Sequence, residues 1–188
     1  LEGAKALLQQ YRIEKLPLVD DHGILKGLIT VKDIQKARDF PTASVDEQGR
    51  LLVGAAVGVG ADLEERLELM VAEGLDLAVI DTAHGHSAGV IRAIQRIKNN
   101  WPDLSVMAGN VVTSEGTEAL IEAGANIVKV GVGAGSICTT RVVSGAGMPQ
   151  LSAIHNCAKT AHKMGVSIVA DGGIKFSGDI VKSIVAGG

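Results

Sequence analysis

Cys138 lies in the segment KVGVGAGSICTTR (residues 129–141), where Gly131, Gly133 and Gly135 alternate with small residues. A cysteine attacks as its thiolate, so a nucleophilic one needs amide N–H groups, a cation or a base beside it. The glycines leave backbone amides accessible, Thr139 and Thr140 bring hydroxyls, and Arg141 brings a cation. Cys157 shares a helical stretch with Ile154 and Ala161 and reads as a small buried hydrophobe. Ser136 and the glycines around it offer N–H and O–H donors suited to a phosphate. Asp171 closes the apolar segment SIVA and is followed by Gly172 and Gly173. A carboxylate there can accept both hydrogens of a ribose diol while the glycines let a phosphate approach; taken alone, Asp171 reads equally as a turn or helix-cap residue. Asp81 opens the segment DTAHGHS, in which His84 and His86 lack the third ligand of a metal site and read as helix-start or ligand-loop residues.

The elements that must carry these residues fall into two regions. In residues 1–38 the spacing predicts a helix over 1–12, with Ala4, Leu7, Leu8 and Tyr11 on one side. Strands over 15–19 and 24–30 flank the turn DDHG, and Thr30 opens a helix over 31–37. Residues 39–50, polar and containing Pro41 and Gly49, read as a linker. From residue 51 the pattern changes. Short Val- and Ile-rich runs at 51–57, 77–80, 104–107, 127–130 and 168–170 hardly alternate, which suits parallel strands buried on both faces.

Amphipathic helices are expected between those runs, capped by Asp62 and Ser87, begun after Ser114, and spanning 151–164 and 177–186. A βα repeat of this length fits a doubly wound sheet or a (β/α)8 barrel. Asp81, Asn110, the 131–138 loop and Asp171 each follow a strand end, and in a barrel they ring one mouth. A dinucleotide fingerprint fits less well, because Ser136 stands where the last glycine is required. The fold class expected is therefore α/β: a partial (β/α)8 barrel of about five βα units over 51–188. A full barrel takes ~250 residues, so the chain is expected to be part of a longer protein.

Bulk properties exclude more than they assign. A net charge of −3 offers no basic surface for nucleic acid, and no apolar run reaches the ~18 residues of a membrane span. Two cysteines are too few for a disulfide scaffold and point to the reducing cytoplasm.

Five segments together resemble the inosine-5′-monophosphate dehydrogenase family: LLVGAAVG (51–58), DTAHGHS (81–87), AGNVVT (108–113), the cysteine loop (129–141) and ADGGIKFSGDI (170–180). GLITVKD (27–33) resembles the closing motif of a cystathionine-β-synthase (CBS, Bateman) repeat, which makes residues 1–38 the end of such a regulatory module. The resemblance implies NAD-dependent oxidation of inosine 5′-monophosphate (IMP) to xanthosine 5′-monophosphate, through a thioimidate on Cys138 with Thr140 beside it. It assigns Ser136, Gly172 and Gly173 to the substrate phosphate and Asp171 to its ribose. It gives Asp81, Asn110, Lys129 and Gly131 to the NAD site. The carbonyls of Gly133, Gly135 and Cys138 would bind potassium, and Thr30 and Asp33 a regulatory nucleotide. A cytoplasmic homotetramer is implied as well.

Departures from the family pattern are Ala134 in place of the usual proline, and Lys175-Phe176 in place of Arg-Tyr. No segment resembles the family's mobile flap, so this chain by itself is not expected to turn over. Guanosine-monophosphate reductase resembles the same barrel and loop but ordinarily lacks the regulatory module, so residues 1–38 argue for the dehydrogenase. A non-catalytic nucleotide-binding fragment is the alternative of a different class.

Overall fold

A computed structural model describes residues 2–188. The chain forms two compact units, Leu1–Leu52 and Val53–Gly188.

The first unit runs α1 (Glu2–Tyr11), β1 (Lys15–Val19), β2 (Leu25–Thr30) and α2 (Val31–Asp39). β1 and β2 pair antiparallel across a turn in which Asp20 accepts backbone N–H bonds from His22 and Ile24. Thr30 caps α2 reciprocally with Asp33: each side chain accepts from the other residue's backbone N–H. Of the apolar side expected on α1 only Leu8 is buried; Leu7 and Tyr11 are exposed. Residues 39–50 belong to this unit, and Val45 bridges Leu51.

The second unit is a five-stranded sheet of β3 (Gly54–Val57), β4 (Leu77–Asp81), β5 (Ser105–Val111), β6 (Ile127–Val130) and β7 (Ser167–Ala170). Every pairing is parallel and the spatial order follows the chain. A doubly wound sheet reverses its strand order part-way across; this one never does. The fold is thus α/β, with successive βα units of a partial (β/α)8 barrel, as expected.

Burial differs from the expectation of strands covered on both faces. Ala78, Ile80, Val106, Ala108, Val128, Val130 and Ile168 are buried and join residues of α3 (Leu63–Ala72), α4 (Ala88–Asn100), α5 (Ser114–Glu122) and α7 (Gln150–Lys163) in one core. The residues that alternate with them along the strands, Val79, Met107, Ile127 and Val169, are only partly buried or exposed. The physical reason is handedness: right-handed crossovers in a sheet that never reverses put α3, α4, α5 and α7 on one face.

Local chemistry sets the ends of the helices. Ser87 caps α4 by accepting from the Val90 N–H. Thr113, rather than Ser114, caps α5, accepting from Gly116. Asp62 stands at the start of α3, but its side chain makes no capping bond. Two elements depart further from expectation. The first barrel strand begins at Gly54, because Leu51 is taken by its bridge to Val45. A short helix α6 (Thr140–Ser144) follows Cys138 directly and ends on Gly145, whose φ of 70° only glycine adopts freely. The last helix is α8 (Ser177–Val185), where Asp179 accepts backbone N–H bonds from Lys175 and Phe176.

Leu67 is fully buried and Leu69, on the same helix, is two-thirds exposed. Leu67→Ala should lower unfolding free energy by about 2–5 kcal/mol and Leu69→Ala by under about 0.5 kcal/mol, measured by urea denaturation.

Candidate active site

Strand ends β4 to β7 converge on a cleft of about 480 Å³. Its lining includes Asp81, Asn110, Gly131, Gly133, Gly135, Cys138, Thr140, Asp171 and Gly172, nine of the residues picked out in the sequence. Three others fall outside the lining: Ser136 and Gly173 are both exposed, and Lys129 is half-buried against Asp81 and Asp171. Thr30 and Asp33 belong to the first unit and bond to each other as the cap of α2.

Lys129 points its ammonium between two carboxylates, 2.6 Å from Asp171 Oδ2 and 3.1 Å from Asp81 Oδ1. Its side chain is only 16% exposed, while those of Asp171 and Asp81 are 41% and 52% exposed. Burial pulls the Lys129 pKa down, but bonds to Asp171 and Asp81 outweigh it and the net shift is upward. Burial likewise opposes the Asp171 carboxylate, and Lys129 and Asn110 reverse that, holding its pKa below the ordinary range. Asp171 Oδ1 and Asp81 Oδ2 accept nothing from the described residues, so each of these cleft-lining carboxylates keeps a free acceptor.

Asn110 is buried because β5 shifts register against β6 between Gly109 and Val111, which turns its side chain toward the neighbouring loops. Its Nδ2 donates to Gly131 O and Asp171 Oδ2, both at 2.7 Å. The sequence had put Asn110 beyond a strand ending at 107; β5 continues through it. Gly131 takes a φ of 144°, and a Cβ there would overlap the Asp171 carbonyl, so glycine alone lets the cysteine loop leave β6 so close to β7.

Cys138 is partly exposed and its Sγ lies 3.2 Å from Thr140 Oγ1. The Thr140 hydroxyl lowers the thiol pKa most, the Thr140 N–H adds to it, burial opposes, and Arg141 and the Gly133 N–H lower it further. Cys157 is buried at 0% exposure, and burial pushes its thiol up. The environments of the two thiols thus differ: one favours the thiolate and the other opposes it.

Two further side chains at or beside the cleft were not singled out in the sequence. Thr82 lines the cleft and its hydroxyl donates to Gly109 O at 2.8 Å. Gln150, first residue of α7, donates from Nε2 to Val130 O at 2.9 Å and to Asp171 O at 3.0 Å. A glutamine after Pro149 carries no local signal for such a role, because both its partners come from other elements.

The IMP dehydrogenase / GMP reductase domain family matches residues 22–188. The chain belongs to this family. It is 60% identical, over all 188 residues, to inosine-5′-monophosphate dehydrogenase of Halalkalibacterium halodurans, covering 39% of that protein. It is 58% identical over its whole length to the enzyme of the same name from Bacillus subtilis, covering 38%. Among solved structures it is similar to a GMP reductase variant from Trypanosoma brucei in complex with guanosine 5′-monophosphate: TM-score 0.88, 46% identity, 99% of this chain and 39% of that one. A GMP reductase from the same organism in complex with guanosine 5′-triphosphate aligns equally well over 44% of its chain. The chain thus spans less than two-fifths of the curated relatives it matches. The 99% coverage of a GMP reductase includes the first unit, so residues 1–38 do not separate the two family activities as the sequence had led us to expect.

Two measurements probe the site of this IMP dehydrogenase / GMP reductase family member. Iodoacetamide should label Cys138 before Cys157, with a pH inflection below that of a free cysteine; Thr140→Val should move the inflection upward. Asp171, with its lowered pKa, should stabilise the fold above the ordinary carboxylate value near 3.8 and lose that contribution as pH falls through its own lower pKa. Lys129→Met should shrink this acid-side loss, read from urea midpoints across pH.

Proposed function

We propose that this chain carries the nucleotide-binding half of an enzyme oxidising IMP to xanthosine 5′-monophosphate with NAD. The observation that carries the reading is one cleft lined by both a thiol of lowered pKa and a carboxylate with a free acceptor, Cys138 and Asp171. The identity of 58–60% to proteins named inosine-5′-monophosphate dehydrogenase supports it.

In this reading Asp171 accepts the ribose hydroxyls of IMP, and the backbone around Ser136, Gly172 and Gly173 receives its phosphate. The Cys138 thiolate forms a bond to C2 of the purine while Thr140 donates to sulfur before attack. A hydride leaves C2, and water later cleaves the resulting thioimidate, returning the thiol and adding oxygen at C2. NAD supplies the hydride acceptor. Asp81 fits a nucleotide diol, because its half-exposed carboxylate at the cleft keeps one oxygen unpaired among the described residues. Asn110, Lys129 and Gly131 complete that side, with Lys129 balancing the charge of both carboxylates.

The carbonyls of Gly133, Gly135 and Cys138 lie on one loop and offer the neutral oxygens an alkali cation prefers, so they would hold potassium. Thr30 and Asp33 would serve a regulatory nucleotide at the end of a CBS module over residues 1–38, joined by a linker at 39–50. The protein would work as a homotetramer in the cytoplasm, where Cys138 stays reduced.

Reduction of guanosine 5′-monophosphate is the second reading, favoured by the similarity to the Trypanosoma brucei GMP reductases. The full-length protein should form NADH from IMP and NAD, and Cys138→Ala should lower that rate by ~10³-fold or more. Consumption of NADPH with guanosine 5′-monophosphate, and no NADH from IMP, would establish the reductase instead.

A further inference from the structure

Beyond Val130 and Ala170, the last residues paired between β6 and β7, the two chains must separate into the cysteine loop and the Asp171 turn. One direct bond and one bridge of two bonds cross the gap at that point: the Asp171 N–H donates to Val130 O at 2.8 Å, and the Gln150 amide donates to both Val130 O and Asp171 O. Gln150 therefore ties the exit of the Cys138 loop to the backbone of Asp171. A side chain on Gly173 would meet Ala134 O at 3.0 Å and Ala134 Cβ at 3.4 Å, with Gln150 Cβ next at 3.5 Å. The amide uses its Nε2 twice, while its buried Oε1 accepts no hydrogen bond from the described residues. A buried amide that leaves its carbonyl bare costs stability, so shape alone does not explain a glutamine here; its two donations do.

From this arrangement we infer that Gln150 is a positioning residue that sets the spacing between the Cys138 loop and Asp171. The inference rests on the reading of the cleft as a purine nucleotide site, because only a ligand touching both groups senses that spacing. Gln150 acts through backbone carbonyls and makes no hydrogen bond to the Cys138 sulfur. Its effect is therefore confined to reactions that need both ends of the site at once.

Two alkylation rates at Cys138 separate these cases in the full-length protein. A 6-chloropurine ribonucleoside monophosphate forms one carbon–sulfur bond and releases chloride only when Asp171 and Cys138 are aligned. Iodoacetamide needs the thiolate alone, so the ratio of the two rates cancels thiolate fraction. Gln150→Met, which keeps the length and removes both donors, should lower the ratio about tenfold or more, within the ~100-fold that a ~1 Å misplacement costs. The iodoacetamide pH profile should not move. Gln150→Glu sets a carboxylate against two carbonyl oxygens at neutral pH but regains one donor when protonated. Its ratio, relative to wild type at each pH, should recover on acidification, which a loss of packing alone would not produce. An unchanged ratio in Gln150→Met, or a Gln150→Glu deficit that stays flat with pH, overturns the positioning role alone. Wild-type protein that reacts with iodoacetamide but never with the nucleotide overturns the nucleotide reading, and the role of Gln150 with it.

Discussion

Lys129 holds one ammonium against the carboxylates of Asp171 and Asp81 at the ends of three strands of the sheet. Without it, two acidic groups would face the same small cleft in a chain that is already net negative. With it, the Asp171 carboxylate is held charged, and Asp171 and Asp81 each still have an oxygen to offer. The geometry depends on strand register: Lys129 pairs with Gly109 in β5 and with Val169 in β7, so its side chain rises from the middle of the open face. A side chain on Gly109 would collide with the Lys129 backbone, which is why that neighbour carries none.

Two amides do for the backbone what Lys129 does for charge. Asn110 reaches Gly131 O and Asp171 from β5, and Gln150 reaches Val130 O and Asp171 O from the start of α7. Both spend their N–H groups on the same pair of strand exits. Between them the cysteine loop and the Asp171 turn are held together by four donations, and Gly131 supplies the backbone freedom that lets this clamp close. A preorganised site of this kind keeps its donors in place before any ligand arrives, which is where the electrostatic advantage of enzymes originates.

The thiol sits at the far end of this clamp. Thr140 N–H and O–H, the Gly133 N–H and Arg141 all favour the sulfur anion, while Cys157 is buried in the apolar core and does not share them. The short helix α6 explains how Thr140 presents both its groups: it is the first residue of that helix, with its N–H not committed to a helical bond.

Much of this was legible in the residues themselves. Val- and Ile-rich runs ending in Asp81, Asp171 and the glycine loop are enough to predict parallel strands with chemistry at their C-terminal ends, because burial and ionisation place opposite demands on neighbouring residues. Ser87 and Thr30 likewise announce helix starts through bonds made within three residues. The register shift that turns Asn110 inward, the reach of Gln150 and the exposure of Ser136 were not legible, since each depends on how separate strands and helices meet. One-sided burial of the sheet belongs with them: it follows from an unreversed strand order that no single strand encodes. Local bonds and residue chemistry are written in the chain order, whereas distances between strand ends exist only once the sheet has formed.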